Sequence, residues 1–354
     1  MLDDVKLATV RIYREEYSMQ DEKLLHIISH TDLDGVASAA LAWHANRGTG
    51  LPIKVSLMGY GEVDNAILES LHSGQKLIVL DLFCQRDQTV DEIDRSFPAD
   101  GAPFLFDHHK STFDRYSNRK WAIVDTGYCA AKVYWRWLME QNLDADQSAT
   151  VASMETLINI TNDRDLWLGE IPDSRLWQGL VTICGPWGVL MRLVSDPSPE
   201  LTPGERIAAQ DFVDRQEIRF EQAKTKIKRT GNDLSFVGDG LLEFGDVSDF
   251  CGMILDRDPT PPLVAAVATK RIGGDWALSL RSRDGLAGKI ITLLKDGKKV
   301  RGGGHGDAAA LYFPYSYTED QIHNTVLAAI KQEKERSETP NVTLGDLFKG
   351  LDKI

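Results

Sequence analysis

Short apolar runs and longer amphipathic stretches alternate along the first 125 residues of the chain. The apolar runs have the length of buried strands, and the stretches between them place apolar residues at helical spacing. Strands separated by helices in this way are typical of a mainly parallel sheet with helices on both faces. The pattern predicts strands at 24–29, 53–58, 77–80, 104–106 and 121–124, and helices at 35–46, 63–71 and 90–96.

The pattern changes beyond this region. Residues 128–195 are predicted to be mostly helical, and the segment SDPSPELTPG at 195–204 clusters Pro, Ser and Gly, which indicates a boundary. A charged amphipathic stretch at 205–228 is predicted to be a connecting helix. Strand and helix patterns then return, which indicates a second, smaller α/β domain. Its predicted strands are 234–237, 263–269 and 276–281, and its predicted helices are 248–255, 285–295 and 319–335.

Length and charge narrow the range of functions. At about 150 residues per domain, the 354 residues fit two domains or three. The 53 Asp and Glu residues exceed the 40 Lys and Arg residues, and the net charge of −13 argues against binding long duplex nucleic acid through a basic surface. The four cysteines lack metal-ligand spacing, so they are expected to be reduced.

The hydrophobicity of the chain and the composition of its first residues bear on membrane insertion and export. No stretch reaches the roughly 18 consecutive apolar residues that a membrane span needs. The first residues, MLDDVKLATVRIYREE, carry acids where a signal peptide carries bases, and they lack its apolar core. The sequence therefore predicts a cytoplasmic protein without a membrane partner.

Candidate metal ligands collect where the predicted strands end. His30, Asp32 and Asp34 follow the first strand at alternating positions, and alternate residues of an extended chain point the same way. Asp81 ends the third strand, and open α/β sheets bind ligands at the carboxyl ends of their strands. A helix N-cap would account for Asp32 alone. It would not account for three ligand-type residues within five positions.

Two further segments add acids and imidazoles. Asp107, His108 and His109 follow the fourth strand, and Asp163 and Asp165 lie near the end of an apolar helical stretch. Each segment alone also fits a surface loop or a solvated helix end. Together, carboxylates with a few imidazoles suit Mn²⁺ or Mg²⁺ better than a thiolate zinc site. Two such ions would serve phosphoryl transfer and would let an anionic substrate approach an acidic protein.

The second domain contains a candidate phosphate-binding segment. In VRGGGHGDAAALYF, Gly302, Gly303 and Gly304 precede His305. Glycines permit close approach of a ligand to the backbone, and exposed N–H groups bind phosphate. The alternative is a flexible hairpin, which is the usual role of a glycine-rich loop. Arg281 in the nearby strand WALSLRS favours phosphate binding, because its guanidinium pairs well with phosphate oxygens.

These motifs, in this order, resemble the DHH phosphoesterase superfamily, in its branch with a C-terminal DHHA1 domain. The resemblance spans about residues 24–314 and rests on HTDLDG from His30, Asp81, the DHH triplet from Asp107, the Asp163/Asp165 segment, and GGGH ending at His305. It implies a DHH catalytic domain over 1–195, a linker and connecting helix over 196–230, a DHHA1 substrate-binding domain over 231–336 and a C-terminal tail over 337–354.

The resemblance also implies roles for these residues. The family binds two Mn²⁺ ions, with Mg²⁺ as a substitute, and a metal-bound hydroxide attacks phosphorus. Asp81 would bridge the ions, with Asp32 serving one ion and Asp34 the other. His108 would join a fourth-motif acid on the second ion, and the D-x-W spacing to Trp167 favours Asp165 over Asp163. The remaining implied site residues are His30 as a ligand, Asp107 and His109 as catalytic residues, and Arg281, Gly302, Gly303, Gly304 and His305 as substrate contacts.

The first and fourth motifs look most like the nano-RNase type, which degrades very short RNAs to mononucleotides. A substrate of a few nucleotides needs no long basic groove, which fits the acidic chain. Hydrolysis of cyclic or linear dinucleotides or of 3′-phosphoadenosine phosphate stays open. Pyrophosphatases of the superfamily have a different C-terminal domain and are disfavoured.

Other classes of protein fit less well. A catalytically inactive nucleotide-binding module would have lost metal ligands, yet every expected Asp is present. No G-x-G-x-x-G follows the first strand, and Gly288-Lys289 is followed by Ile290, so Rossmann and P-loop folds are disfavoured. The expected partner is a short single-stranded RNA or a dinucleotide. The sequence leaves the oligomeric state open, a homodimer included.

Overall fold

The computed structural model describes residues 24–98, 101–271, 273–296 and 300–338. The chain forms two units, which divide between Val213 and Asp214. Each unit has its own sheet and its own buried hydrophobic clusters. Of the predicted C-terminal tail, 337–354, only the first two residues fall within the described part.

The first unit alternates strands and helices. Its strands are β1 (Leu25–Ser29), β2 (Ile53–Leu57), β3 (Lys76–Leu80), β4 (Leu105–Asp107) and β5 (Ala122–Val124). Its helices are α1 (Leu33–Asn46), α2 (Val63–His72), α3 (Asp87–Ser96), α4 (Lys110–Tyr116), α5 (Ala130–Met139), α6 (Ala145–Ser153), α7 (Glu155–Asp165) and α8 (Asp173–Ser195). Helix α9 (Pro203–Lys224) begins in the first unit and ends in the second.

The strands of the first unit form one parallel sheet in the order β2-β1-β3-β4-β5. Side chains alternate between its faces, so that Ile27 packs in one buried cluster and Ile28 in another. Helices cover both faces, as apolar parallel strands require. The strand order reverses between β1 and β3, and open α/β sheets bind ligands beyond the carboxyl ends of their strands at such a point.

Helix α1 lies at the centre of the first unit. Small and apolar residues occupy all of its sides, and the helix is buried along most of its length. A helix that is apolar all round belongs in a core. It packs on the sheet and contacts α5, α6, α7 and α8. This packing fixes the short segment that connects β1 to α1.

The second unit contains a mixed sheet. Its strands are β6 (Lys228–Thr230), β7 (Leu234–Val237), β8 (Val264–Lys270), β9 (Trp276–Ser282), β10 (Arg301–His305) and β11 (Ala308–Phe313), in the order β10-β11-β9-β8-β7-β6. Only β7 and β8 run parallel among the described pairs. Its further helices are α10 (Val247–Arg257), α11 (Leu286–Asp296) and α12 (Glu319–Glu338).

Helices cover the two faces of this second sheet unequally. Helices α11 and α12 pack on one face through residues such as Ile290 and Ile322. On the other face, α10 packs against β8 through Phe250 and Ile254. On that same face, alternate residues of β9 and β11 remain half-buried or exposed. One half of the sheet therefore presents its backbone and side chains to solvent.

The structure confirms the α/β class predicted for both domains. The predicted strands of the first sheet begin and end within one or two residues of the observed ones. The expected glycine loop at 302–304 is wrong, because these residues form strand β10 of a hairpin with β11. All four cysteines are free. Among the helices of the described residues, none combines the length and apolar character needed to cross a bilayer.

Candidate metal centre

The segment after β1 turns sharply into α1. Asp32 caps this helix, because its Oδ1 accepts a hydrogen bond from the backbone N–H of Gly35 at 3.0 Å. The helix therefore starts at Leu33, and Asp34 lies in its first turn. The expected extended alternation of His30, Asp32 and Asp34 is wrong for this reason. A helical turn, and not a strand, brings these side chains together.

The turn still gathers the three residues around one point. Nδ1 of His30 lies 2.8 Å from Oδ2 of Asp32 and 3.7 Å from Oδ2 of Asp81. Asp34 is buried, and its two oxygens accept hydrogen bonds from the first two backbone N–H groups of α5 at 2.7 and 2.8 Å. The amino end of a helix favours a carboxylate at this position.

Asp81 follows β3 in an uncommon backbone conformation. Its φ of 62° lies in the left-handed region, and its side chain is 2% exposed. A non-glycine residue held there costs of order 1–3 kcal/mol, and such residues cluster at functional sites. Its Oδ2 has no hydrogen-bond donor among the described residues. The fold therefore holds a carboxylate at the end of β3 at a cost in stability.

Asp107 organises the triplet after β4. Its Oδ1 accepts hydrogen bonds from the backbone N–H groups of His108 and His109 at 2.7 and 3.3 Å, and lies 2.7 Å from Nδ1 of His109. His108 points to other acids: its Nε2 lies 3.4 Å from Oδ1 of Asp81 and 3.4 Å from Oδ2 of Asp165. The segments after three strands and the end of α7 therefore meet at one point.

The candidate ligand atoms form three overlapping groups, and within each group they lie within 4.8 Å of one another. The groups are Asp81 with Asp107, His108 and His109; His30 with Asp32 and Asp81; and Asp34 with His108 and Asp165. Because Asp81 and His108 each belong to two groups, the three groups form one contiguous cluster. Every predicted metal ligand except Asp163 is a member.

Asp163 lies outside this cluster. Its Oδ1 accepts hydrogen bonds from the backbone N–H groups of Glu170 and Ile171 at 2.7 and 3.1 Å. These bonds hold the turn that follows α7, in which Trp167 has a left-handed φ of 57°. Asp163 therefore supports the segment that carries Asp165, and the structure places only Asp165 among the candidate ligands.

The cluster concentrates negative charge in a buried place. Burial, with the added charge of Asp32 and Asp34, raises the pKa of Asp81 well above its usual range. Burial also raises the pKa of Asp34, and it raises the pKa of Asp165 to about 7. Buried anions destabilise a fold unless cations compensate them. This arrangement is therefore unfavourable for the protein alone.

Divalent cations fit this arrangement. Oδ2 atoms of Asp81, Asp107 and Asp165 are buried and have no hydrogen-bond partner among the described residues. Carboxylate oxygens with this freedom are the hard ligands that Mg²⁺ and Mn²⁺ take, and imidazoles can complete the set. The residues present could therefore hold divalent metal ions.

The buried Asp107 forms an ion pair with the half-buried His109. Burial opposes the shift, but the neighbouring His109 lowers the pKa of Asp107 to about 2. Burial likewise lowers the pKa of His109, yet Asp107 raises it to about 9. The imidazole of His109 is therefore charged at neutral pH. Its Nε2 lies 3.4 Å from the hydroxyl of Tyr60.

Tyr60 is a site residue that the sequence interpretation missed. Its ring lies 5.8 Å from the ring of His30 and 6.2 Å from that of His109. Burial and the charge of Asp107 and Asp81 raise the pKa of its hydroxyl, which stays protonated. A signal was present, because Tyr60 follows β2 at the same carboxyl edge as the acids. No acid or imidazole directly follows β2, in contrast to β1, β3 and β4, so nothing drew attention to that segment.

The second unit holds the remaining predicted residues. The guanidinium of Arg281 donates hydrogen bonds to Oγ of Ser248 at 2.9 Å and to the carbonyl of Leu280 at 3.0 Å. Strand β11 lies between β9 and β10, so Ala308 is paired with Arg281 on one side and with His305 on the other. The side chain of His305 lies outside what the structure describes.

The three glycines of β10 differ in their surroundings. A Cβ at Gly302 or Gly304 would collide with backbone atoms of β11, whereas a Cβ at Gly303 would meet nothing within 4 Å. Close approach of the two strands therefore explains the first and third glycines. Packing within the protein does not explain Gly303. Of the three, Gly303 is the one suited to contact with a ligand.

Comparisons with known proteins bear on the fold. No protein-family model matches the sequence, and no curated protein matches it. Solved structures do match it over most of its length. CDC45 from Entamoeba histolytica has a TM-score of 0.56 and 9% identity, covering 87% of this chain and 95% of that chain.

Two further structures match to a similar degree. The pGpG-specific phosphodiesterase PggH from Vibrio cholerae has a TM-score of 0.51 and 14% identity, covering 88% of this chain and 99% of that chain. The exonuclease RecJ, bound to manganese, has a TM-score of 0.51 and 14% identity, covering 87% and 90%. The chain therefore shares the fold of these proteins over both of its units.

Proposed function

We propose that the chain belongs to the DHH/DHHA1 phosphoesterase superfamily and hydrolyses short single-stranded RNA to mononucleotides with divalent metal ions. The observation that carries this proposal is the contiguous buried cluster of carboxylates and imidazoles around Asp81. It lies where the strand order of a parallel sheet reverses. Two proteins that share the fold are a phosphodiesterase and an exonuclease, which supports the same chemistry.

The cluster suits two ions better than one. The group with His30 and the group with Asp34 share no residue, and the third group connects them through Asp81 and His108. Two-metal sites place their ions about 3.5–4 Å apart. Asp81, which belongs to two of the groups, would serve both ions. The ligands proposed for one ion are His30 and Asp32, and those for the other are Asp34, His108 and Asp165. Carboxylates suit both Mn²⁺ and Mg²⁺, and the imidazoles of His30 and His108 favour the transition metal Mn²⁺, with Mg²⁺ as a substitute.

Ions bound there would add positive charge around a phosphodiester and would acidify an attacking water. The chain's own residues do the rest. Asp107 holds His109 in its charged form, so Nε2 of His109 can donate a hydrogen bond to a phosphate oxygen. The ring of Tyr60, which lies edge-on to the ring of His109 at 6.2 Å, helps to position that imidazole.

The second unit is proposed to bind the rest of the substrate. Arg281 uses two hydrogen bonds to hold its guanidinium in place and has further N–H groups for a phosphate. Gly303 leaves room above β10 for a sugar or base. Linear dinucleotides are the second candidate substrate, because PggH is pGpG-specific and has the same fold.

A product time course in Mn²⁺ tests this function. End-labelled RNAs of two, five and longer lengths, pGpG, a cyclic dinucleotide, 3′-phosphoadenosine phosphate and pyrophosphate would be incubated with the protein, with and without chelator. We expect stepwise release of mononucleotides from the short RNAs, abolished by the chelator. Cleavage of dinucleotides alone would move the function to dinucleotide hydrolysis. If the protein turned over no substrate in this set, the proposal would be contradicted.

Substitution of Gly303 tests the second unit's part in binding. Gly303→Ala places a methyl group where the protein leaves space, so we expect an unchanged melting temperature. If substrate occupies that space, the KM for a short RNA rises roughly tenfold, because an overpacked methyl group costs about 1–3 kcal/mol. Turnover of a small activated phosphodiester stays the same. Steady-state kinetics on the two substrates measure the difference.

Two matched variants serve as controls. Gly204→Ala adds a methyl group to an equally open position at the start of α9, and we expect no change in KM. Gly302→Ala brings a methyl group against the β11 backbone, and we expect a lower melting temperature. An unchanged KM in Gly303→Ala would show that no substrate passes over this glycine.

A further inference from the structure

The uncovered half of the second sheet carries small residues in its middle and basic residues at both ends. Helix α10 buries Ala265 and Val267 of β8 on this face. On β9 and β11 the same face shows Ala277, Ser279 and Ala310, all half-buried and small. With Arg281, Ala308, Tyr312, Arg301 and Gly303, these are eight positions on β9, β10 and β11, and none is acidic.

Basic and aromatic side chains gather at the end of this surface away from Arg281. Tyr312 on β11 stands directly opposite Arg301 on β10 and Ala277 on β9. The guanidinium carbon of Arg271, in the turn after β8, lies 5.4 Å from the centre of the Tyr312 ring. Both arginines are exposed, and Tyr312 is 37% exposed. An exposed ring with one guanidinium against it and a second arginine opposite it on the neighbouring strand is a platform for a nucleobase and its phosphates.

The distance along the strands separates this end from the predicted substrate contacts. Tyr312 lies four residues from Ala308, which pairs with Arg281. At about 3.3–3.4 Å per residue, the two rows are about 13–14 Å apart. A small residue fills each position between them on β11 and β9. A ligand that contacts both Arg281 and Tyr312 must therefore be extended and must lie along the strands.

Charge is distributed to match an anionic ligand. Residues 214–354 hold 21 Lys and Arg and 21 Asp and Glu, so the net charge of −13 resides in residues 1–213. The second unit is neutral as a whole. On its uncovered sheet face, the charged strand residues are Arg281 and Arg301, which are both basic. Asp275, in the same turn as Arg271, is half-buried and is the acid of that turn. The two arginines outnumber it.

We propose that Arg271, Arg301 and Tyr312 form a second nucleotide subsite for single-stranded RNA longer than a dinucleotide. A base stacks on the ring of Tyr312, and the adjoining phosphates lie between the two guanidinium groups. A strand that starts at Arg281 crosses the floor of small residues to reach it. The inference rests on the proposed function for its substrate class. It adds that RNAs longer than a dinucleotide bind more tightly, a preference that the metal centre alone would not produce.

Binding measured without catalysis tests the subsite. Fluorescence anisotropy in chelator would give Kd values for labelled RNAs of two, three, five and eight nucleotides. The variants are Tyr312→Ala, Tyr312→Phe, Arg301→Gln and Arg271→Gln. Trp187→Ala serves as a control, because it removes an aromatic side chain of similar exposure, 39%, from the first unit.

We expect the wild type to bind the pentamer more tightly than the dimer. Tyr312→Ala weakens pentamer binding about 5- to 100-fold, as loss of one stacked base does, and leaves dimer binding unchanged. Tyr312→Phe and Trp187→Ala bind like the wild type. Each arginine variant reduces the slope of log K against log salt by about 0.7 for the pentamer only.

Several outcomes would overturn the subsite. If the wild type bound the two- and five-nucleotide RNAs with equal affinity and still hydrolysed them, the subsite would be disproved and the proposed function would stand. A Tyr312→Ala variant that changes the sedimentation coefficient of the protein, and not its affinity for RNA, would make this face an interface between copies. Failure to bind or cleave RNA of any length would contradict the proposed function as well.

Discussion

Asp81→Asn is expected to abolish hydrolysis while making the metal-free protein more stable. Asparagine keeps the shape of the side chain and tolerates the left-handed φ of 62° well. It removes the charge that would join the two ions, and the loss of several kcal/mol of transition-state stabilisation corresponds to about 10³-fold or more in kcat. Steady-state kinetics in saturating Mn²⁺ measure this loss.

The gain in stability has a definite sign. The pKa of Asp81 is raised in the folded state, so above the unfolded pKa of about 3.9 an ionised Asp81 disfavours folding. A neutral amide removes that penalty. We expect Asp81→Asn to have a higher melting temperature than the wild type in chelator at pH 7.5. Thermal melts of the two proteins measure the difference.

Asp163→Asn is the matched control for this substitution. Asp163 is as buried as Asp81, at 2% exposure, and its neighbouring N–H groups can donate to an amide oxygen equally well. We expect kcat within about tenfold of the wild type, since a neutral hydrogen bond replaces a charged one at a net cost of about 1 kcal/mol. An inactive Asp163→Asn beside an active Asp81→Asn would reverse the assignment of the fourth-motif ligand and of the bridging acid.

Mn²⁺ is expected to raise the melting temperature of the wild-type protein by roughly 5–10 °C. Ions that bind only the folded state at about 100 times their Kd add about 2.7 kcal/mol, and a unit of about 200 residues gains about 2–4 °C per kcal/mol. The physical reason is the relief of repulsion among buried carboxylates. Differential scanning calorimetry with Mn²⁺ and with chelator measures the shift.

The shift should depend on pH in one direction. Protons compete with the ion for the carboxylates, and the pKa of Asp165 is about 7. The Mn²⁺-induced shift therefore shrinks as the pH falls below about 7 and is largest at pH 8. Asp81→Asn should lose most of the shift at every pH. An equal shift in wild type and Asp81→Asn would show that Mn²⁺ binds elsewhere.

The positions of the acids could be predicted because strand ends are legible in sequence. Apolar runs mark β1, β3 and β4, and the residue after a buried parallel strand must lie at the carboxyl edge of the sheet. Asp81, Asp107 and His108 follow directly from that rule. It was therefore possible to predict that these separate segments converge without knowing where their side chains point.

Other features depend on local geometry that spacing does not encode. Asp34 was placed by an extended alternation, whereas the cap at Asp32 starts a helix two residues earlier. For Asp163 and Asp165 the D-x-W spacing favours Asp165 only through the family resemblance. The structure adds the physical reason, because the turn after α7 occupies Asp163 while Asp165 points to His108. Tyr60 carries no charge to mark it, and its role appears only when β2 is paired with β1.

The second unit shows the same limit. From the sequence, the three glycines are interpreted as a loop whose backbone could approach phosphate, with a flexible hairpin as the alternative. The hairpin register shows instead that Gly302 and Gly304 allow close strand approach, while Gly303 faces open space. Tyr312 and Arg301 are eleven residues apart in sequence, and only antiparallel pairing brings them opposite each other.

Anomalous diffraction from crystals grown with Mn²⁺ would test the metal centre most directly. A two-ion centre predicts two peaks about 3.5–4 Å apart, with Asp81 between them, Asp32 at one peak and His108 with Asp165 at the other. The Asp81→Asn crystal should lose at least one peak. A wild-type map without a peak beside Asp81, or with manganese bound at Asp163, would contradict the proposed centre.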